Sequence, residues 1–225
     1  MTRAVSVIIR TRNEMCWIAD CLAAIKLQSL DDVEIVVVDN GSTDGTRELA
    51  RRAGCKIVEI PDSQFTYGRA LNYGIAQSSG EFVGLISGHC IPVNDLWLNR
   101  LRACLEVPGV AGAYGRQEPL PDSHDFDKRD LWTTFPIERR FQRKDFFFHN
   151  ANAMIKRSVW DQFPFDEELD GVEDRAWAKK VLAAGYSIAY EPQARVYHYH
   201  GIHQGRDENR AERVVRVIEL IQRQK

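Results

Sequence analysis

Five short stretches concentrate residues able to bind charge or move protons. They are Thr11-Arg12-Asn13-Glu14, Asp39-Asn40-Gly41-Ser42-Thr43-Asp44, Ser87-Gly88-His89-Cys90, Glu173-Asp174 and Tyr197-His198-Tyr199-His200. The carboxylate pair carries the clearest geometric signal. On a helix starting near Glu173, residues Asp174, Ala178, Val181 and Leu182 share one face. That face is apolar and must look inward, so Asp174 is a carboxylate at the inner end of a first turn, aimed at a cleft. Complementing the helix dipole is the plainer role open to Glu173 and Asp174 alike. His89 stands at a strand end rather than on an apolar face, which favours a working imidazole over a structural one.

The elements that position these groups follow from the apolar runs. Val5-Ser6-Val7-Ile8-Ile9 is β-branched and predicts a buried strand, followed by a helix over about 17–28. Glu34 to Val38 predicts a second strand, which runs into the turn-and-cap cluster beginning at Asp39. Next come a helix stopped by Gly54, a strand over 56–60, a helix over 69–78 and a strand over 81–86. Strands alternating with helices of about ten residues mean βαβ units and a parallel sheet. Ligands of such sheets bind beyond the carboxyl ends of the strands, where Thr11 to Glu14, Asp39 to Asp44 and Ser87 to Cys90 all fall. A carboxylate there, such as Asp39, can accept the imide N–H of a pyrimidine ring. Asp44 either lines the same pocket or organises the turn and caps the next helix.

Beyond Gly115 the pattern turns charged, aromatic and weakly periodic, with a basic patch from Arg139 to Lys144. Regularity returns over 151–155, 173–184 and 187–196, and residues 207–225 have helical apolar spacing. The division expected is one domain over 1–225, with a nucleotide half over 1–115, an acceptor half over 116–205 and a C-terminal helix over 206–225. The tail has no terminal cap, as in a piece of a longer chain.

The 225 residues are 44% apolar and 28% charged, with a net charge of −2, so a globular fold is expected and no field of one sign invites nucleic acid. Five cysteines without CxxC spacing read as reduced thiols. No apolar run approaches the roughly 18 residues of a membrane span, and the first strand leaves no room for a leader. A cytoplasmic protein is expected, with peripheral contact at a membrane face left open by the basic patch. No signal sets an oligomeric state.

The ordered motifs carry a resemblance. "VSVIIRTRNE" with "VEIVVVDNGSTDGT", then "GRALNYGIAQSSGEFVGLISGHCIP", then "FDEELDGVEDRAWAKKVLAAGYSIAYEPQARVYHYHG" resemble the successive segments of inverting family-2 glycosyltransferases. The resemblance implies the GT-A fold, a mostly parallel α/β sheet flanked by helices. It implies a nucleotide-sugar donor and a hydroxyl acceptor on a glycan or lipid-linked sugar, in surface polysaccharide or glycolipid synthesis. It puts Asp39 at the base-recognising position, with Thr11, Arg12 and Glu14 lining the pocket. Asp174 becomes the base that deprotonates the acceptor, and Glu173 an acceptor-binding group. Asn72 and Arg69 fall near the diphosphate, although this chain has Leu71 where the family places an arginine. Arg10 and Arg12 replace a usual proline and tyrosine.

The main departure is Ser87-Gly88-His89, which stands where the family has two metal-holding aspartates. Mg2+ prefers oxygen ligands and Mn2+ tolerates imidazole. The site is therefore either rebuilt around His89 with His198 or His200, with Ser87 as a weak neighbour, or metal-free, with His89 and arginines holding the diphosphate. Two rival readings are a catalytically silent nucleotide-sugar-binding scaffold and a sugar-phosphate nucleotidyltransferase. The second wants a glycine-rich, lysine-bearing loop after the first strand, which "RTRNEMCW" lacks.

Overall fold

The computed structural model describes residues 4–169 and 171–199, together with 216 and 219. His200 and the expected C-terminal helix, apart from residues 216 and 219, lie outside the described residues. Nine strands join in one sheet. In chain order the elements are β1 (Val5–Thr11), α1 (Ile18–Lys26), β2 (Glu34–Asp39), α2 (Thr46–Arg52), β3 (Lys56–Glu59), α3 (Tyr67–Ala76), β4 (Phe82–Ser87) and β5 (Cys90–Pro92). There follow α4 (Trp97–Leu105), β6 (Val110–Pro119), α5 (Asp125–Thr134), β7 (Arg140–Gln142), β8 (Asn152–Lys156), α6 (Arg157–Trp160), α7 (Glu173–Ala183) and β9 (Ser187–His198).

The strand order is β3-β2-β1-β4-β8-β6-β9-β5, with β7 also paired to β9. β1, β2, β3 and β4 are mutually parallel, as their βαβ connections require. β8 then enters antiparallel between β4 and β6, while β6 and β9 run parallel. The division expected at Gly115 falls inside β6, and both halves share the sheet.

Alternation along the strands sends side chains to two faces. Val5, Val7 and Ile9 pack with α1, Ala50 of α2 and Trp97, Leu98 and Leu101 of α4. Ile8 packs on the other face with Leu71 and Ile75 of α3 and Trp177, Ala178 and Val181 of α7. Trp97 and Trp177 are among the largest fully buried side chains, and truncating such a residue costs about 3–5 kcal/mol.

α7 carries two carboxylates in its first turn, where the helix dipole favours negative charge. Its buried side chains are Glu173, Trp177, Ala178 and Val181. The inward face thus begins at Glu173, with Asp174 beside it and partly exposed. Expectation had begun that face at Asp174. Successive helical residues are about 100° apart, so two neighbours flank the same apolar stripe.

Candidate functional site: carboxylates and imidazoles at the strand ends

Register brings the strand ends together. Thr11 lies opposite Asp39, and Arg10 opposite Ser87. Residues 88 and 89 turn the chain from β4 into β5, whose Cys90 lies opposite His198 at the end of β9. Gly88 is needed at this turn. A Cβ there would stand 2.9 Å from Thr11 Oγ1 and 3.4 Å from Arg10 O, and Gly88 N–H donates to Arg10 O at 2.9 Å.

His89 and His198 form a pair. Their Nε2 atoms are 3.1 Å apart, and the ring planes differ by 9°. His89 Nδ1 contacts Glu14 Oε1 at 2.6 Å, and His198 Nδ1 contacts Gln117 Oε1 at 2.6 Å. Cys90 lies in the same cluster, the ligand atoms of His89, Cys90 and His198 all falling within 4.8 Å of one another. Burial pushes the Cys90 thiol well above its ordinary pKa, which keeps it protonated. His149 stacks edge-on against His198, with ring centroids 6.2 Å apart.

The next residue, Asn150, reaches the carboxylates. Its backbone N–H donates to Asp174 Oδ2 at 3.4 Å, and its Nδ2 donates to Glu173 Oε1 at 3.2 Å. Arg175 N–H also donates to Asp174 Oδ1, at 2.7 Å. Arg10 Nη1 lies 3.7 Å from Glu173 Oε1, and its guanidinium rests over the Tyr67 ring at 4.9 Å. Burial, helped by the charge of Asp174 and opposed by Arg10, pushes Glu173 up to about 7. Burial also raises Asp174, against the opposing pull of Arg175 and its hydrogen bonds. Two carboxylates in one dry place cannot both ionise cheaply. The pair is therefore able to accept a proton near neutrality.

Asp39 is fully buried. Its Oδ2 accepts Ser42 N–H at 3.0 Å, while Oδ1 and the neighbouring Thr11 Oγ1 are buried without a hydrogen-bond partner. An orphaned buried acceptor costs about 1–3 kcal/mol unless a ligand satisfies it, which makes Asp39 Oδ1 a candidate binding position.

The remaining predicted groups are otherwise engaged. Asp44 accepts from Met15 N–H at 3.0 Å, Thr46 N–H at 3.0 Å and Thr46 Oγ1 at 2.6 Å, the turn-organising alternative. Burial alone would raise its pKa, but these bonds outweigh it and lower it. Arg12 forks onto Asp62 at 2.6 and 3.3 Å on the surface. Arg69 holds Glu167 at 2.9 Å and Gln64 O at 2.8 Å. Asn72 donates to Phe165 O and Glu167 Oε1, and accepts from Trp160 Nε1 and Phe165 N–H. Arg12, Asp44, Arg69 and Asn72 thus each tie loops together in this structure. Asn152, at the start of β8, is occupied by Trp97 Nε1 and two backbone carbonyls. In the basic patch, Arg139 pairs with Glu191 at 3.2 Å and Arg140 rests over Tyr190 at 5.2 Å.

His149 and Gln117 are additions that sequence reasoning did not single out. The available signal was position. β8 runs antiparallel to β4, so residues just before it return to the edge where β4 ends.

Comparison with known proteins bears on the family and the fold. The family described as Glycosyl transferase family 2 matches residues 6–163. The chain is 32% identical over 195 residues to the glycosyltransferase AglE of Haloferax volcanii, covering 83% of this chain and 64% of that protein. It is 27% identical to the O-antigen chain rhamnosyltransferase WbaN of Salmonella anatum, covering 79% and 60%. The chain therefore spans about three-fifths of the length of these curated relatives. Among solved structures, the mannosyltransferase PcManGT of Pyrobaculum calidifontis, in complex with GDP-Man and Mn2+, superposes with a TM-score of 0.68 at 21% identity, covering 90% of this chain and 59% of that one. TarS of S. aureus in complex with UDP-GlcNAc superposes at 0.69 and 18% identity, covering 90% and 61%. These two share the GT-A-like fold, and the family match over residues 6–163 makes this chain a member of glycosyl transferase family 2.

Proposed function

We propose that the chain is the catalytic domain of an inverting glycosyltransferase, moving a sugar from a nucleotide-sugar to a hydroxyl of a glycan or lipid-linked acceptor. The observation that carries this reading is the pair of buried Glu173 and partly exposed Asp174, held by Asn150 and Arg10 and joined through residues 149–150 to the imidazoles at the strand ends. Asp174 takes the acceptor hydroxyl proton. The acceptor oxygen then bonds to the anomeric carbon from the face opposite the diphosphate, and the departing diphosphate keeps the electrons of the broken C–O bond. Glu173, more deeply buried and held near Arg10, orients the acceptor and keeps charge low beside the base. Asp39 Oδ1 accepts a ring N–H of the donor's base.

The donor set also fits a divalent ion. Two imidazole nitrogens 3.1 Å apart suit a first-row transition ion, and Mn2+ tolerates them better than Mg2+, which prefers oxygen ligands. His89 and His198 would hold it, with Ser87 nearby at the end of β4. Such an ion supplies positive charge against the leaving diphosphate. The nucleotide half over 1–115 and the acceptor half beyond it work as one domain. Among the described residues no helix is long and apolar enough to cross a membrane. The O-antigen chain named for WbaN points to surface-glycan synthesis, and in this reading the work is done at the cytoplasmic side of a membrane, with the partly engaged basic patch as a peripheral contact.

The test is release of nucleoside diphosphate from a panel of nucleotide-sugars by the wild type and by Asp174→Asn. A fall of about 10²–10⁴-fold is expected in the variant at unchanged nucleotide affinity. A loss of less than about tenfold would remove Asp174 as the base. No release from any donor by the wild type would favour a silent nucleotide-sugar-binding scaffold.

A further inference from the structure

We propose that Glu14 and Gln117 are positioning residues that lock His89 and His198 into one nitrogen ligand pair, and that this lock sets an ion preference of Mn2+ over Mg2+. The inference rests on the divalent-ion reading above and adds the two groups that define it.

Four side chains from four parts of the chain lie in a row: Glu14, His89, His198 and Gln117, at 2.6, 3.1 and 2.6 Å. An ionised carboxylate oxygen can only accept a hydrogen bond. With Glu14 Oε1 accepting the hydrogen on His89 Nδ1, the neutral ring has Nε2 as its lone-pair nitrogen. The amide oxygen of Gln117 does the same for His198. In these tautomers both outer nitrogens donate away from the centre, and the two Nε2 atoms face each other across 3.1 Å. Two nitrogens bound to one ion at about 2.1 Å, at angles between 90° and 109°, lie roughly 3.0–3.4 Å apart. The observed 3.1 Å falls within that span. A carboxylate or amide oxygen behind a ligating imidazole is the usual outer partner of a metal-binding histidine, fixing its tautomer and raising its basicity.

The fold holds Glu14 firmly for this task. Its own N–H donates to Thr46 Oγ1 at 2.8 Å. On either side, Asn13 N–H donates to Ser42 Oγ at 2.9 Å and Met15 N–H to Asp44 Oδ2 at 3.0 Å. The run Ser42 to Thr46 is thus a cradle for the backbone that aims Glu14 at His89. Gln117 is fixed by its place in β6, where it is 1% exposed and lies opposite Val196, two residues before His198. In this arrangement Glu14 is an outer partner of the site and not a ligand, so the protein offers the ion nitrogen rather than a carboxylate. Mg2+ is disfavoured by that exchange and Mn2+ tolerates it.

The test uses Mn2+ alone, followed by electron paramagnetic resonance, on the wild type, Glu14→Ala, Glu14→Gln and Gln117→Leu. Mn2+ affinity is expected to fall about 10–100-fold in Glu14→Ala and Gln117→Leu, with partial recovery in Glu14→Gln, which keeps an acceptor oxygen. Nitrogen coupling to the bound Mn2+ is expected in the wild type and weaker in Glu14→Ala. Excess Mg2+ should displace wild-type Mn2+ poorly and displace it from Glu14→Ala more readily. A purely structural role for Glu14 would shift melting temperature without moving either readout. Should Gln117→Leu fail to fold, the Glu14 variants on their surface loop carry the test. Equal Mn2+ affinity and selectivity in Glu14→Ala and the wild type would overturn the positioning roles and leave sugar transfer standing. Absence of Mn2+ binding by the wild type would overturn the ion site, and this inference with it.

Discussion

Asn72 separates a phosphate-binding role from a structural one, and its replacement by alanine gives a worked expectation. Its side chain is 8% exposed and makes four hydrogen bonds, to Phe165 O at 2.9 Å, Glu167 Oε1 at 3.0 Å, Trp160 Nε1 at 2.9 Å and Phe165 N at 3.1 Å. Glu167 keeps Arg69 as a partner and Trp160 is only partly buried, so both recover some solvation after truncation. The N–H and C=O of Phe165, a residue 2% exposed, do not. Two stranded buried groups at about 1–1.5 kcal/mol each give a loss of about 2–3 kcal/mol. For a chain of this size that is a fall of about 4–12 °C in melting temperature. Thermal unfolding followed by circular dichroism measures it, alongside calorimetric nucleoside diphosphate binding at a temperature where the variant is folded. The structural account expects lower stability at similar nucleotide affinity. Unchanged melting with tenfold weaker binding would refute it and return Asn72 to the diphosphate.

Two further outcomes follow from the buried carboxylates. Glu173 holds its proton to about pH 7 in the fold and to about 4.5 when exposed, so between these values the folded state binds more protons and stability falls as pH rises. Glu173→Gln should therefore gain on the wild type from about pH 4.5 to 7 and hold that gain above, as read from melting temperature against pH; a constant gap would contradict the shift. Asp39→Asn exchanges an acceptor for a donor at a buried position whose Oδ1 lacks a partner. It should weaken binding of the donor's nucleoside diphosphate tenfold or more by calorimetry, and unchanged affinity would remove the base-recognition role.

The first half of the chain was legible because parallel strands buried on both faces must be continuous apolar runs. Val5 to Ile9 and Glu34 to Val38 are such runs, and their ends placed Asp39, Ser87 and His89 on one edge. β6 was not legible. Ala111, Gly112, Ala113, Gly115 and Gln117 lack the large β-branched signature, because their neighbours sit too close. A Cβ on Gly115 would stand 1.9 Å from Ala194 O. Missing β6 hid Gln117, and missing the antiparallel entry of β8 hid His149. The contacts that Arg12 and Asn72 make were hidden for a different reason. Their partners Asp62 and Phe165 are 50 and 93 residues away in sequence, and no local pattern reveals a partner at such a distance. Asp44 was readable only as two alternatives, since the same residue types serve turns and pockets.

The most direct measurement is the anomeric configuration of the sugar released from an α-linked nucleotide-sugar, read by proton NMR in the first minutes before mutarotation. Water stands in for the acceptor at the same base. Attack guided by Asp174 from the face opposite the diphosphate predicts the β anomer, and predicts that its appearance is lost in Asp174→Asn. Release of the α anomer would contradict single-step inversion at this site.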